Sequence, residues 1–128
     1  MTSVTRILGA PSLYVQGPGA LGRIGKLAAG LGSRVLLVSD PWVVANFAPR
    51  VRAILAAEGL SFDAVSFEGE VTPATVEQIA ARARRQNSDL IIAAGGGKGV
   101  DAGKAVSKAV GARLVTLPTA ASNDGATS

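Results

Sequence analysis

Residues 90–101 read LIIAAGGGKGVD, an uninterrupted apolar run that passes into three glycines, a lysine and a helical pattern. Continuous apolar character over Leu90–Ala94 is typical of a strand that is covered on both faces, as in parallel sheets. The glycines fall where such a strand ends, and a helix is predicted directly after them, over about Lys98–Val110. This stretch therefore predicts a strand, a tight turn and a helix, which is the repeating unit of an α/β fold.

The same alternation extends on both sides of this stretch. Further strands are predicted at Leu13–Val15, Arg34–Ser39, Ser61–Phe67 and Arg113–Leu117. Apolar residues at helical spacing predict helices over Leu21–Leu31 and Trp42–Ala57. The second helix is predicted to be interrupted at Pro49 and to start again there. Thr72 as N-cap and Pro73 at the first helical position predict the start of a further helix. Short connections between alternating elements predict one α/β domain, an open parallel sheet with helices on both faces.

Composition excludes several classes of protein. The chain has 128 residues, 48% hydrophobic and 17% charged, which indicates a single folded domain rather than a disordered segment. It contains no Cys and no His, so these residues offer no disulfide, no imidazole base and few ways to bind zinc. No apolar run approaches the roughly 18 residues of a membrane span, and no signal peptide is visible, so we expect a cytoplasmic protein without a membrane partner.

The net charge of +4 suggests an anionic ligand but does not predict nucleic-acid binding. The basic residues are scattered, and no aromatic residues are interleaved with them as in a recognised nucleic-acid module. The one short basic run, Arg82, Arg84 and Arg85, is predicted to lie on a solvent-facing helix surface. A nucleotide diphosphate is an anion that a mildly basic domain can attract.

Two glycine motifs compete as the site for such an anion. The first, GPGALG at residues 17–22, matches the dinucleotide pattern GxGxxG, and Asp40 lies near the spacing of about 20 residues at which an acidic residue binds ribose. However, Pro18 removes one backbone N–H from the turn that should donate to phosphate. A plain turn into the first helix is the favoured interpretation of this motif, and a phosphate loop is the alternative.

The second motif is favoured as the phosphate site because three residues without Cβ atoms let the backbone approach an anion. The start of the following helix adds unpaired N–H groups and the positive end of its dipole. The predicted site consists of Gly95, Gly96, Gly97, Lys98 and Gly99. Asp101 and Lys104 follow within two helical turns, close enough to contact a bound cofactor or each other. A flexible turn without a ligand is the alternative.

A polar stretch, PTAASNDGATS at residues 118–128, follows the last predicted strand. Its small and hydroxyl side chains can surround a ribose or a nicotinamide, and Asp124 can bind a hydroxyl of a polyol. The alternative is an ordinary polar turn. The chain stops in this loop without the closing helix of a finished domain, so we expect residues 1–128 to be part of a longer protein.

Taken in order, GGGK at 95–98, Asp101, Lys104 and PTAASND at 118–124 resemble glycerol dehydrogenases of the metal-dependent, iron-containing alcohol dehydrogenase family. YVQGPGAL at 14–21 resembles that family's entry segment, so the similarity covers nearly the whole chain. The resemblance implies a two-domain enzyme, with residues 1–128 forming a truncated NAD-binding domain. The helical C-terminal domain, which in the family supplies an Asp and two His ligands to zinc or iron, would lie beyond Ser128.

The resemblance also implies a role for individual residues. Residues 95–99 would hold the diphosphate, and the GxGxxG motif would not be a cofactor site. Asp40 would bind the adenosine ribose hydroxyls, which favours NAD over its 2′-phosphorylated form. Thr119 and Ser122 would contact the cofactor, Ser128 would lie near the nicotinamide, and Asp124 would contact glycerol. Neither a catalytic residue nor a metal ligand is expected within this chain.

The implied function is NAD-dependent oxidation of glycerol to dihydroxyacetone by a longer, homo-oligomeric parent protein, with this chain inactive alone. One departure keeps alternatives open, because residues 123–125 read NDG where glycerol dehydrogenases often carry a proline slightly later. The Asp-Gly pair is closer to glycerol-1-phosphate dehydrogenases, and another dehydroquinate synthase-like enzyme is also possible. A nucleotide-binding module without catalytic activity is the remaining alternative.

Overall fold

Strands and helices alternate along the chain from Ser12 onward. A computed structural model describes residues 3–6, 12–16 and 19–118. The strands are β1 (Ser3–Arg6), β2 (Ser12–Gln16), β3 (Arg34–Ser39), β4 (Ser61–Ser66), β5 (Leu90–Gly95) and β6 (Arg113–Pro118). The helices are α1 (Ala20–Ala29), α2 (Pro41–Ala57), α3 (Pro73–Arg85) and α4 (Gly97–Val110). Apart from β1, each element was predicted, with ends that differ by no more than a few residues.

The strands form one sheet in the order β1-β2-β6-β5-β3-β4. β2, β6, β5, β3 and β4 are parallel to their neighbours, and β1 pairs with β2 in the antiparallel direction. The predicted open parallel sheet is therefore confirmed, with one antiparallel strand added at its edge. β1 carries a single apolar residue, Val4, so it lacks the alternation of apolar and polar residues that predicts a half-buried strand.

Helices cover both faces of the sheet, as predicted. On one face α1 and α2 pack through residues such as Ile24 and Val51 against β-strand residues that include Leu37 and Ile92. On the other face α3 and α4 pack against the alternate strand residues, among them Leu36 and Ile91. This arrangement explains the continuous apolar run Leu90–Ala94 of β5, since its residues alternate between the cores beneath the two helical layers.

The helix starts follow the chemistry of their capping residues. Thr72 caps α3 as predicted, and its side chain accepts a hydrogen bond from the backbone N–H of Thr75 at 3.1 Å. The predicted interruption of α2 at Pro49 is wrong, because the helix continues through that residue. Pro49 and Ala45 are both exposed. Because proline has no N–H, the carbonyl of Ala45, four residues earlier, lacks its helical hydrogen bond. At this exposed position water can donate to that carbonyl instead.

One basic side chain of α3 does not face solvent as predicted. Arg82 is half-buried, and its guanidinium donates to Asp63 of β4 at 2.7 Å, whereas Arg84 and Arg85 are exposed as predicted. Arg82 lies three residues after the buried Ile79, so it borders the packed side of the helix and its long side chain reaches Asp63 of the sheet. Burial alone would raise the pKa of Asp63, but hydrogen bonds from Gln86 and Arg82 outweigh it and lower the pKa.

The strand order creates a crevice between β3 and β5. These two strands are neighbours, yet the chain continues from β3 to β4 on one side and from β5 to β6 on the other. The helices that follow them also diverge, with α2 on one face and α4 on the opposite face. Open α/β sheets bind ligands at such a switch point, outside the carboxyl ends of the strands. Among the described helices, none combines the length and apolar character needed to cross a bilayer.

Candidate functional site

A cavity of about 430 Å³ lies at this switch point. It is lined by three segments that each follow the carboxyl end of a strand, namely Asp40–Pro41 after β3, Phe67–Gly69 after β4, and Gly96–Gly99 after β5. The structure thus brings Asp40 together with the predicted phosphate-binding turn. The segment 67–69 was not predicted as part of the site, although its position after a strand end is a signal that the sequence does carry.

Two of the predicted glycines are required by the fold itself. Gly95 has a φ of 103°, a left-handed conformation that side chains with a Cβ rarely adopt. Gly99 packs so closely on β5 that a Cβ there would overlap the carbonyl oxygen of Ala94. Both would therefore be needed even without a ligand, and neither is by itself evidence of one.

Gly96 and Gly97 are different, because nothing in the described protein requires them to be glycine. Neither has a positive φ, and a Cβ at either position would meet no atom within 4 Å. Both are exposed and line the cavity. The open space in front of them is where a ligand could lie directly on the backbone.

The start of α4 supplies hydrogen-bond donors to that space. Gly96 is its N-cap and has no side chain to cap the helix, and the first intrahelical bond runs from Val100 N–H to Gly96 C=O at 3.1 Å. The N–H groups of residues 97–99 precede that bond and have no intrahelical acceptor. Together with the helix dipole, these donors could bind an anion such as phosphate.

Asp40 has a structural role in addition to lining the cavity. It is the N-cap of α2, and its Oδ1 accepts a hydrogen bond from Val43 N–H at 2.8 Å. Among the described residues, no donor bonds its other carboxylate oxygen. A ribose diol could donate to that oxygen without disturbing the cap.

Lys98 lines the cavity but its charge is already paired. Its ammonium donates to Glu70 Oε1 at 2.9 Å, and both side chains are largely exposed. An exposed pair of this kind contributes little stability, roughly 0–1 kcal/mol, so the lysine can exchange partners at low cost. The structure places Lys98 at the predicted turn without directing it at the anion site.

Ser39 is a buried residue of the site's floor that the sequence reasoning missed. It is fully buried at the end of β3, and its hydroxyl donates to the carbonyl oxygen of Ala94 in β5 at 2.7 Å. The signal in the sequence is a single hydroxyl directly after the apolar run Val35–Val38 and directly before Asp40.

The remaining predicted residues divide into two groups. Asp101 and Lys104 are exposed on α4 and do not line the cavity among the described residues. Thr119, Ser122, Asp124 and Ser128 lie outside the described residues, as does the start of the GxGxxG motif at Gly17.

A second hollow, of about 320 Å³, lies at the opposite edge of the sheet, against the first residues of β3 and β4. Its carboxylate, Asp63, is already held by Arg82 and Gln86. It is also at the amino ends of the strands, where parallel sheets do not place their ligands. This hollow is therefore a weaker candidate for a ligand site.

The described residues do not assemble a metal site. No group of three His, Cys, Asp or Glu side chains converges in the part of the chain that the structure covers.

Comparison with known proteins finds related sequences over nearly the whole chain. Residues 11–128 match the model of the family described as iron-containing alcohol dehydrogenase. Glycolaldehyde reductase of Halobacterium salinarum is 41% identical over 125 residues, which are 98% of this chain and 34% of that protein. Glycerol-1-phosphate dehydrogenase of Aeropyrum pernix is 38% identical over 121 residues, 92% of this chain and 34% of that protein.

A solved structure shows the same fold. The probable glycerol dehydrogenase of Sinorhizobium meliloti superimposes with a TM-score of 0.72 at 28% identity, covering 90% of this chain and 30% of that one. The chain spans about a third of the length of the curated relatives it matches.

Proposed function

The chain belongs to the iron-containing alcohol dehydrogenase family, and from that premise we propose that its cavity holds NAD for the oxidation of a small polyol by the full protein. In this proposal the diphosphate lies on the turn Gly96–Gly99 and accepts hydrogen bonds from the first N–H groups of α4. The adenosine ribose lies toward Asp40, on the neighbouring strand end.

The observation that carries the proposal is the open space in front of Gly96 and Gly97. Backbone conformation and packing explain the glycines at 95 and 99, but they do not explain these two. A ligand that presses against the backbone does explain them, because any Cβ would occupy the volume of its phosphate groups.

The rest of the cofactor site follows the family resemblance. Thr119 and Ser122 would contact the dinucleotide, and Ser128 would lie beside the nicotinamide. Asp124 would accept a hydrogen bond from a substrate hydroxyl and so orient the polyol. Orientation of this kind can lower the reaction barrier by several kcal/mol.

When bound, NAD would supply the hydride acceptor for oxidation of the carbinol carbon to a carbonyl, with the hydroxyl proton released to solvent. This chain would contribute by binding and positioning. The family resemblance implies zinc or iron as well, but the described residues do not fit a metal, so its ligands would lie outside them.

For the substrate, we propose glycerol, on the resemblance of residues 118–124. The relatives favour two further candidates, since the proteins at 41% and 38% identity are named for glycolaldehyde and glycerol 1-phosphate, respectively. Steady-state kinetics of the full protein with these three compounds would separate the candidates. If Asp124 orients a hydroxyl, Asp124→Ala should raise the KM for the substrate much more than the KM for NAD; an equal rise would make the residue structural.

The cofactor site is tested by placing one negative charge at each of the two glycine motifs. Gly96→Asp should abolish NADH binding in calorimetry, because a carboxylate would stand where the diphosphate lies. Its fold should be preserved, since Asp is a favourable N-cap residue. Gly22→Asp is the matched variant: Gly22 is exposed in the first turn of α1, meets nothing within 4 Å, and ends the GxGxxG motif.

We expect NADH affinity to survive in Gly22→Asp. The reverse pattern, with binding lost in Gly22→Asp and kept in Gly96→Asp, would move the cofactor to the first glycine motif and overturn the proposal. Thermal unfolding of both variants would show that any loss of binding does not come from loss of the fold.

A further inference from the structure

We infer that Glu68 is a specificity-determining residue, which acts with Asp40 to exclude a dinucleotide that carries a 2′-phosphate. The inference rests on the proposed function, because it requires the adenosine end of the cofactor to lie in this cavity. The sequence indicates the carboxylate of Asp40, after β3; the inference adds that of Glu68, after β4.

The sheet register brings these two carboxylates to the same wall. β3 and β4 are parallel and in register up to their last residues, where Ser39 pairs with Ser66. Phe67 N–H then donates to the carbonyl of Ser39 at 3.3 Å, which continues the alignment past the strand ends. Asp40 and Glu68 follow directly, and both line the cavity.

Among the described residues, no cation is paired with the carboxylate of Asp40 or Glu68, and no arginine lines the cavity. Lys98 is the one basic residue among the described lining residues, and its ammonium is paired with Glu70 at 2.9 Å. A 2′-phosphate would bring up to two more negative charges beside two carboxylates. Sites that accept the 2′-phosphate use an arginine at this place instead.

NAD itself can tolerate the acidic wall because its charge lies elsewhere. The diphosphate would face the N–H groups at the start of α4, whose dipole is favourable for an anion. The 2′- and 3′-hydroxyls of the ribose are hydrogen-bond donors, for which the Asp40 carboxylate is a good acceptor, whereas Glu68 contributes charge without a required hydrogen bond to the ribose. A 2′-phosphate turns one of those donors into an anion, so the same wall becomes repulsive.

The test is a pair of fluorescence titrations, with NADH and with NADPH, on the full protein that contains this chain. We expect the unaltered protein to bind NADH more tightly. In Glu68→Gln, NADPH binding should tighten about five- to tenfold, because a carboxylate and a phosphate in one cavity repel each other even at water-like screening. NADH affinity should stay near its original value. High salt should reduce the difference between the variant and the unaltered protein.

Two further variants control this result. Glu58→Gln makes the same change of net charge at the other end of α2, about 25 Å from Asp40 for a helix of 17 residues, and should leave the NADPH-to-NADH ratio unchanged. Glu68→Asp keeps the charge with a shorter side chain and should retain discrimination. Relaxed discrimination in Glu68→Asp would mean that shape rather than charge decides, and would overturn the inference.

The inference and the proposed function can fail separately. If NADH binds and Gly96→Asp abolishes that binding, but Glu68→Gln leaves the ratio unchanged, the inference is wrong and the proposed function stands. Equal binding of NADH and NADPH by the unaltered protein would likewise make the inference wrong and leave the proposed function standing. If neither dinucleotide binds the unaltered protein, the proposed function is wrong and the inference falls with it.

Discussion

The buried hydroxyl of Ser39 donates a hydrogen bond of 2.7 Å to the carbonyl oxygen of Ala94, and so joins the ends of β3 and β5 beneath the candidate site. Gly99, in the first turn of α4, packs against the same carbonyl group. One backbone carbonyl therefore fixes both the strand end that leads to Asp40 and the helix start that follows the glycine turn.

Replacing Ser39 with alanine should lower the free energy of unfolding by about 1 kcal/mol, because a buried hydrogen bond is lost. Urea denaturation would measure the change. Ser66→Ala is the matched control, since Ser66 pairs with Ser39 in the sheet but is exposed. Equal losses in the two variants would mean that the Ser39 hydroxyl contributes nothing beyond the strand itself.

Alanine at Gly99 or Gly103 should destabilise the protein by about 1–3 kcal/mol, because each added methyl group would force α4 away from β5. At these positions a Cβ would overlap the carbonyl oxygen of Ala94 and the Cβ of Ala93, respectively. Gly97→Ala is the control: it meets no protein atom and should leave stability nearly unchanged while weakening NADH binding. A Gly97→Ala variant that bound NADH normally would contradict the close approach of a ligand.

Asp40 should show separable effects on stability and on cofactor binding. Asp40→Ala removes the cap of α2 and should cost about 1 kcal/mol of folding stability. Asp40→Asn keeps a capping oxygen for Val43 N–H while removing the charge, so its stability should remain close to that of the unaltered protein. Calorimetry should nevertheless show weaker NADH binding in both. If Asp40→Asn binds NADH normally, the carboxylate acts only as a cap.

Acid should destabilise the fold partly through Asp89. Burial alone would raise the pKa of this carboxyl, but hydrogen bonds from Arg34 N–H, Ser33 N–H and the Ser33 hydroxyl outweigh it and hold the pKa below its ordinary value of 3.8. A lowered pKa in the folded state means that the stabilisation is present above pH 3.8 and is lost as the pH falls below it.

Urea denaturation at several pH values from about 5 down to 2 would measure this dependence. Asp89→Asn should be less stable at the upper end of that range and should lose less stability on acidification. A variant whose unfolding free energy falls as steeply as that of the unaltered protein would show that Asp89 does not contribute to the acid sensitivity.

Much of the fold was predictable because its signals are local. The apolar run of β5, the Thr72 cap and the glycine turn each specify their own conformation through neighbouring residues. β1 could not be predicted, because only its pairing with β2 makes it a strand. The continuity of α2 through Pro49 was also unpredictable, since it depends on which side of the helix faces solvent.

The candidate site was predictable only in part. The glycine turn and Asp40 were identified from motifs, but the sequence could not distinguish glycines needed by the fold from those open to a ligand. That distinction depends on packing, since Gly99 lies against Ala94 while Gly97 faces open space. The position of Glu68 after a strand end is visible in the sequence, but its placement beside Asp40 is not, because that depends on β4 pairing with β3.

The sequence by itself determined the alternation of strands and helices, the two-sided burial of β5 and the glycine turn before α4, because these follow from interactions among residues close in the chain. Only the tertiary structure decided that β3 lies beside β5, which brings residues 55 positions apart, Ser39 and Ala94, into contact. Strand order depends on how the two helical layers pack on the two faces of the sheet, and no local sequence pattern predicts it. The cavity between Asp40, Glu68 and the glycine turn is a consequence of that order.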